Sequence, residues 1–412
     1  MTFYSDENVA TRYLDPKIFT ENARCSFSLD SNEAAYLPNM RLLFLGAVTD
    51  SSQDYNHLLG ALALVKNARL LDGKTILCSA NEHQFYQGFL NVNQPNEHNQ
   101  SAASYQSCSA LGLTVNGTTR KLDRIAKKTQ SNTTTATTGS ATLDLRTIFP
   151  MLTSVSHLPT ALFQNLRIEI EFDAEQSNQI VNNITTTLKT LRPVLAVDVI
   201  ENPALVDSLN SKLKNASWLE IEHDQFVIPG VSQTPSPQGK VQPTNVQISG
   251  FNNKRMERFL MVKVLQDSAL EVSGNAVQGY GRFSSQACFR QKVQLRVNGN
   301  NLLPRQGIVG NNERLAHIVD AYGDCSAYIG SNQYGGDNSG EITNARAVLG
   351  QLDYIGIYVG ADINNFQINY SREGLLDNTP KAPTTQTLIS HCYAEIRKQL
   401  IVTPNGYTIQ YA

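Results

Sequence analysis

The dominant period along the chain is two. In Asn165-Leu-Arg-Ile-Glu-Ile-Glu-Phe172, the apolar Leu166, Ile168, Ile170 and Phe172 alternate with Arg167, Glu169 and Glu171. That pattern predicts a half-buried antiparallel strand, with its apolar side toward a core and its charged side in water. Cys25–Leu29, Leu219–His223, Lys292–Val297, Phe366–Tyr370 and Tyr407–Tyr411 alternate in the same way. Thr, Val, Ile and Tyr are plentiful and Gly or Asn punctuates the runs, so the prediction is an all-β chain of many short strands. Helical spacing is rare. Asn202 can cap, Pro203 suits a first helical position, and Leu205, Leu209 and Leu213 share a face, which predicts a helix over 202–213. Ser51–Ala68 is a second helical candidate, through Leu58, Leu59 and Leu62. The polar stretches 130–141, 233–245, 330–340 and 377–383 read as loops inserted between strands of a rigid scaffold.

The order of these signals repeats. Leu70–Leu77 reads as a hairpin with a type I′ turn at Asp72-Gly73, and Arg296–Leu303 reads as the same hairpin around Asn298-Gly299. The alternating strand that starts at Asn165 has a counterpart starting at Asn365, and each half ends in a closing strand, near Pro193–Ile200 and Ile396–Val402. This predicts a duplicated β domain, residues 1–205 and 206–412, joined near the 202–213 helix. A chain of 412 residues is long enough for two domains with a full core each.

Charge narrows the function classes. The chain has 34 Lys+Arg against 36 Asp+Glu, a net charge of −2. The first 205 residues carry 16 basic and 19 acidic side chains and the remainder 18 and 17, so neither half is a generally basic nucleic-acid binder. Polarity comes instead from 37 Asn and 27 Gln, which favour turns and wet, uncharged contacts. The opening MTFYSDENVATRYLD has acids where a signal peptide has a basic start, and the longest apolar runs, Leu42–Val48 and Leu58–Val65, fall well short of the ~18 residues that a membrane span takes. The expectation is a chain that is not secreted. Cys25, Cys78, Cys108, Cys288, Cys325 and Cys392 form no Cys-x-x-Cys and are expected to be free thiols.

Candidate chemistry fails at spacing or context. Gly73-Lys74-Thr75 ends like a phosphate-binding loop, but the glycine that motif needs at position 68 is Ala68, and a hairpin turn explains the segment better. The histidines at 57, 83, 98, 157, 223, 317 and 391 form no local zinc signature, and Glu82-His83 and Glu97-His98 read as loop residues. Asp320–Asp324 and Asp337–Glu341 offer oxygen ligands in glycine loops without EF-hand spacing. The Asn-x-Ser/Thr triplets at Asn116, Asn132, Asn183, Asn215 and Asn369 are expected to stay unglycosylated, and the basic run Arg120–Lys128 reads as a solvated face. No residue is assigned a catalytic, cofactor-binding or metal-ligating role. The chain is expected not to be an enzyme and to need no cofactor.

Several stretches carry a family resemblance. Gly60-Ala-Leu-Ala-Leu-Val-Lys-Asn-Ala-Arg-Leu-Leu-Asp-Gly-Lys74 resembles an early strand pair of a jelly roll. Ala141–Pro150, His157-Leu-Pro-Thr160 and Asn165–Phe172 resemble its later strands, and Arg192–Glu201 its last. Taken together, the chain resembles the double jelly-roll major capsid proteins of tailless icosahedral double-stranded DNA viruses: adenoviruses, tectiviruses, virophages and polinton-like viruses. The resemblance implies two tandem eight-stranded antiparallel jelly rolls, and a homotrimer that is a pseudo-hexamer and tiles an icosahedral shell. It also implies a virion location, assembly inside the host cell, and partners among minor capsid or penton proteins, an inner membrane or the genome. Two other classes share the sandwich: a carbohydrate-binding or carbohydrate-active jelly-roll module, against which the single Trp218 weighs, and a viral minor vertex or spike protein.

Overall fold

Leu166–Phe172 forms a strand in which burial alternates residue by residue, as its sequence requires. The computed structural model describes residues 8–29, 34–43, 54–55, 62, 64–93, 142–173, 180–181, 192–229, 244–266, 291–304, 307–309, 311–323, 353–372, 387–404 and 406–412. Outside them lie the loops expected at 130–141, 330–340 and 377–383, the basic run 120–128, the 337–341 acids, Cys108, Cys288, Cys325, His57, His98, and the triplets at Asn116, Asn132 and Asn183.

In the first half the strands are β1 (Ala10–Leu14), β2 (Ile18–Thr20), β3 (Arg24–Ser28), β4 (Ala35–Tyr36), β5 (Arg41–Leu43), β6 (Asp54–Tyr55), β7 (Val65–Asp72), β8 (Thr75–Asn81), β9 (Leu143–Asp144), β10 (Leu158–Pro159), β11 (Leu166–Phe172), β12 (Ile180–Val181) and β13 (Val194–Ile200). One sheet runs β1, β13, then β4 with β5, then β10 with β9; the facing sheet runs β2, β3, β11, β7, β8, and β6 pairs with β12 apart from both. In the second half they are β14 (Ala216–Ile228), β15 (Thr244–Gln247), β16 (Lys254–Leu265), β17 (Gln291–Val297), β18 (Asn300–Asn301), β19 (Ile308–Val309), β20 (Asp353–Ile363), β21 (Phe366–Arg372), β22 (Leu388–Thr403) and β23 (Gly406–Tyr411). One sheet runs β14, β22, β16, β20, with β23 on β22; the other runs β15, β21, β17, β18, with β19 on β17.

Numbered by successive strand position, β1, β3, β4/β5, β7, β8, β9/β10, β11 and β13 give sheet orders 1-8-3-6 and 2-7-4-5. The positions β14, β15, β16, β17, β18, β20, β21 and β22 give the same two orders. That is jelly-roll topology twice over, with antiparallel pairing. The repeated sequence signals occupy equivalent places: the hairpins are positions four and five, the alternating strands position seven, and the closing strands position eight.

The two hairpins turn differently. Asn298 (φ 53°) and Gly299 (φ 84°) both take positive φ, the type I′ turn that Asn-Gly predicts. In the first hairpin Asp72 pairs with Thr75, so the loop is Gly73-Lys74 and only Gly73 (φ 58°) is left-handed. Asp72 is a paired strand residue there, and the expected Asp-Gly I′ turn gives way to one with Gly at its first position. The 244–245 end of the expected 233–245 loop lies in β15.

Helices fill the connections: α1 (His83–Asn93), α2 (Met151–Ser154), α3 (Pro203–Asn210) and α4 (Asn311–Tyr322). The expected 202–213 helix is α3, with Pro203 in its first turn, and it buries Val206 and Leu209. Leu213 lies beyond its end and packs on the first roll's core, because the helix stops at Asn210. The expected 51–68 helix is overturned where it is described: 54–55 belong to β6 and 65–68 to β7. Asp320 belongs to α4, whose end is closed by Gly323 (φ 84°), so residues 320–323 are a helix terminus, and Asp324 lies outside the described residues.

Each roll has its own apolar core between its sheets. Trp218 and Leu400, from the second roll's longest strands, join the first roll's core, with Tyr407 and Ile409 of β23 packed against it. The paired β14, β22 and β23 therefore reach across from one roll to the other.

Candidate functional site: the buried seam between the rolls

β22 is buried on both sides because two different partners cover it. Cys392, Ala394 and Ile396 point into the second roll's core, while His391, Tyr393 and Glu395 point outward and are buried too. On neighbouring β16 the outward Leu260 and Val262 are fully buried, each worth about 1.5–3 kcal/mol relative to exposure. The cover is α1 of the first roll and α4 of the second. Phe89 of α1 meets Tyr322 of α4 and Tyr354 of β20 edge-on, with ring centroids 4.8 and 5.2 Å apart. Gly356 lies under Tyr322, where an added Cβ would come within 2.9 Å of the ring.

Two carboxylates are locked into this seam. Glu395, 2% exposed, accepts hydrogen bonds from Tyr86 Oη of α1 (2.7 Å) and from Arg258 Nε of β16 (2.7 Å). Glu220 of β14, 1% exposed, accepts from Ser79 N (2.7 Å) and Cys78 Sγ (3.2 Å) of β8, and from Trp218 Nε1 (2.7 Å); Lys398 Nζ lies 3.4 Å away. Each charge thus meets an opposite charge from the second roll and at least one neutral donor from the first, the condition under which a buried ion survives. Burial, followed by the neighbouring carboxylate, raises the ionisation of Tyr86 and of the Cys78 thiol well above their usual ranges, so both remain protonated donors.

Histidines and backbone complete the contact. Tyr393 Oη donates to Glu82 O (2.5 Å), and His83 Nε2 lies 3.0 Å from Thr147 O. His83 is a buried first-turn residue of α1, against the loop expected for it, because Phe85, Tyr86 and Phe89 give the segment an apolar helical face. His157 is also buried, with Nε2 3.2 Å from Leu209 O of α3. At the far end, Tyr407 Oη donates to Asp72 (2.8 Å), tying β23 to the first hairpin.

The geometry is that of a structural joint. The Gly73-Lys74-Thr75 segment is the β7–β8 turn, and among the described residues no three His, Cys, Asp or Glu side chains gather as a metal site. Sequence reading assigned no role to Tyr86, Glu220, Arg258 or Glu395. The spacing of Phe85, Tyr86 and Phe89, and the unbroken apolar run Phe259-Leu-Met-Val262, were the signals that could have pointed to a two-sided interface.

No family model matches the chain, and no curated protein matches it in sequence. Solved structures do match. The mavirus major capsid protein aligns over 100% of this chain and 91% of its own at 7% identity, with a TM-score of 0.56. The faustovirus major capsid protein aligns over 96% and 90% at 9% identity, with a TM-score of 0.53. A chain of the Sputnik virophage aligns over 100% and 90% at 9% identity, with a TM-score of 0.52. With its two rolls of identical strand order and these matches along its length, the chain has the double jelly-roll fold of viral major capsid proteins.

Proposed function

We propose that the chain is a viral major capsid protein, a structural and non-enzymatic subunit whose working form is a homotrimer. Its two rolls, 1–205 and 206–412, act as two similar wedges, so three chains make a pseudo-hexamer that tiles an icosahedral shell in the virion. The observation that carries this reading is the unequal cover of two equivalent sheet faces. The centre of the outer face of the second roll's β14-β22-β16-β20 sheet, at Leu260, Val262, Tyr393 and Glu395, is covered by the first roll's α1 and by α4, while Val227 and Tyr358 stay exposed at its ends. Among the described residues, the matching face of the first roll is covered at one end, where α3 packs on Ala35 and Ile200. The rest presents Thr11, Tyr13 and Arg41 to solvent around Ala196, with Tyr13 67% exposed.

Contact between the rolls is heterologous: one side of the first meets a different side of the second. A heterologous contact repeated with a closing rotation makes a ring. A neighbouring copy's second roll on the Tyr13–Ala196 face would repeat between chains the kind of contact made within one. A net charge of −2 and abundant amides suit assembly of many copies, which strong like charge would oppose. Contacts to minor capsid or penton proteins, and to a membrane or genome on the inner side, belong to the same reading.

Solution mass and particle imaging of the purified chain test it. A stable trimer is expected, and Ala196→Glu, at the centre of the open face, should reduce it to monomer with unchanged circular dichroism. A wild-type chain that stays monomeric at micromolar concentration overturns the proposal.

A further inference from the structure

The seam carries histidines where the two rolls meet. His223 of β14 and His391 of β22 stack with ring centroids 5.3 Å apart and planes at 26°, and His223 Nε2 lies 3.0 Å from His391 Nδ1. Phe85 of α1 stacks on His391 at 4.2 Å and 22°. Tyr393 lies 5.0 Å from His223, and His83 stands at the start of the same helix, 5.9 Å from Tyr86. A 3.0 Å contact between two ring nitrogens accommodates one proton: one nitrogen donates and the other accepts. A second proton sets two N–H groups against each other.

The charged groups on the surrounding elements are already engaged. Glu395 is held by Arg258 and Tyr86, and Glu82 by Lys66 at 3.7 Å and by Gln84. Asp173 accepts from Gln84, and Asp224, next to His223 in sequence, accepts from the backbone N of Gln225. Opposite His391 on β16 stands the apolar Val262. New positive charge on the histidines would meet Arg258 and Lys66 as well as the engaged carboxylates.

We propose that the His223–His391–Phe85 stack, together with His83, is an acid-released latch: neutral rings hold α1 of the first roll to the sheet of the second, and protonation parts the rolls before either one unfolds. Burial pushes both His223 and His83 down from the usual 6.5 to about 4. A base whose folded-state value is depressed binds protons more readily once the seam is open. The latch is therefore at full strength above pH 6.5 and weakens as pH falls from 6.5 toward 4. Among the described residues the buried histidines His83 and His391, and the largely buried His223, line the seam, while His157 sits apart from it against Leu209 O of α3, so acid acts on the seam through three of the four. This inference does not depend on the capsid reading.

Trp218 is the sole tryptophan, 5% exposed beside the seam, so its emission reports on the joint. The full-length chain would be titrated from pH 8 to 3 while Trp218 emission, far-ultraviolet circular dichroism and the radius of gyration from X-ray scattering are followed. The expected result is a red shift and an expansion with a midpoint between pH 6.5 and 4, ahead of any loss of strand signal. The double variant His223→Gln/His391→Gln should move that midpoint down by about a unit, while the control His157→Gln, whose ring meets Leu209 O of α3 away from the stack, should leave it in place. Should the double variant fold poorly, His83→Gln, which keeps a donor for Thr147 O, should lower the midpoint by itself. Emission and strand signal lost together, or a midpoint that these seam variants do not move, would overturn the proposal.

Discussion

Tyr86 donates a 2.7 Å hydrogen bond to Glu395 across 309 residues of sequence, linking the helix after one roll's fifth strand position to the central strand of the other roll. A phenol and a carboxylate so placed do two jobs. They satisfy a buried charge, and they fix the angle between two domains that each have a complete core. Arg258 supplies the countercharge from the adjacent strand, so the carboxylate is bound from both rolls.

Removing the donor separates these roles. Tyr86→Phe keeps the ring against Tyr393 and leaves one Glu395 oxygen without its partner from α1. The expected cost is about 1–3 kcal/mol of thermal or denaturant stability, with unchanged strand content. A double-mutant cycle with Glu395→Gln should show coupling between the two sites, and strict additivity would show that the bond contributes nothing.

Glu220 is the more severe test. Glu220→Ala strands the buried Lys398 ammonium and removes the acceptor for Ser79 N and Trp218 Nε1. A loss of about 3–5 kcal/mol is expected, with Trp218 emission altered even in the folded chain. Glu220→Ala/Lys398→Met removes both charges and should recover much of that loss, as a melting series would show.

Gly307→Ala tests backbone geometry away from the seam. Gly307 has φ 70°, and an added Cβ would lie 2.3 Å from Val293 O on β17. Strain and collision act together, so destabilisation well beyond the ~1–2 kcal/mol of a left-handed alanine alone is expected. A melting temperature equal to the parent's would contradict this placement.

Cys25, Cys78 and Cys392 are buried and free, and burial raises all three thiols, Cys25 to about 12. The nucleophilic thiolate is therefore scarce at neutral pH. Peptide mass mapping after brief alkylation should find these three unmodified in the folded chain and modified once it is denatured. Rapid labelling under native conditions would show that the cores open.

Local form was legible in the residues alone. Leu166–Phe172 could bury only one face, Asn298-Gly299 had the residues a two-residue turn demands, and Asn202-Pro203 marked a helix start. The order of those signals was enough to reveal two copies of one roll. Period-two patterning says which side of a strand faces inward, but not what covers the other side. Packing of one roll on the other makes His391, Tyr393 and Glu395 as buried as Cys392 and Ala394 on the opposite face of β22. It likewise turned Glu82-His83 from an expected polar loop into the anchored start of α1. The reason is distance along the chain. Strand and turn preferences act over a few residues, whereas Ser79, which binds Glu220, and Tyr86, which binds Glu395, lie 141 and 309 residues away and reach them only through the packing of one roll on the other.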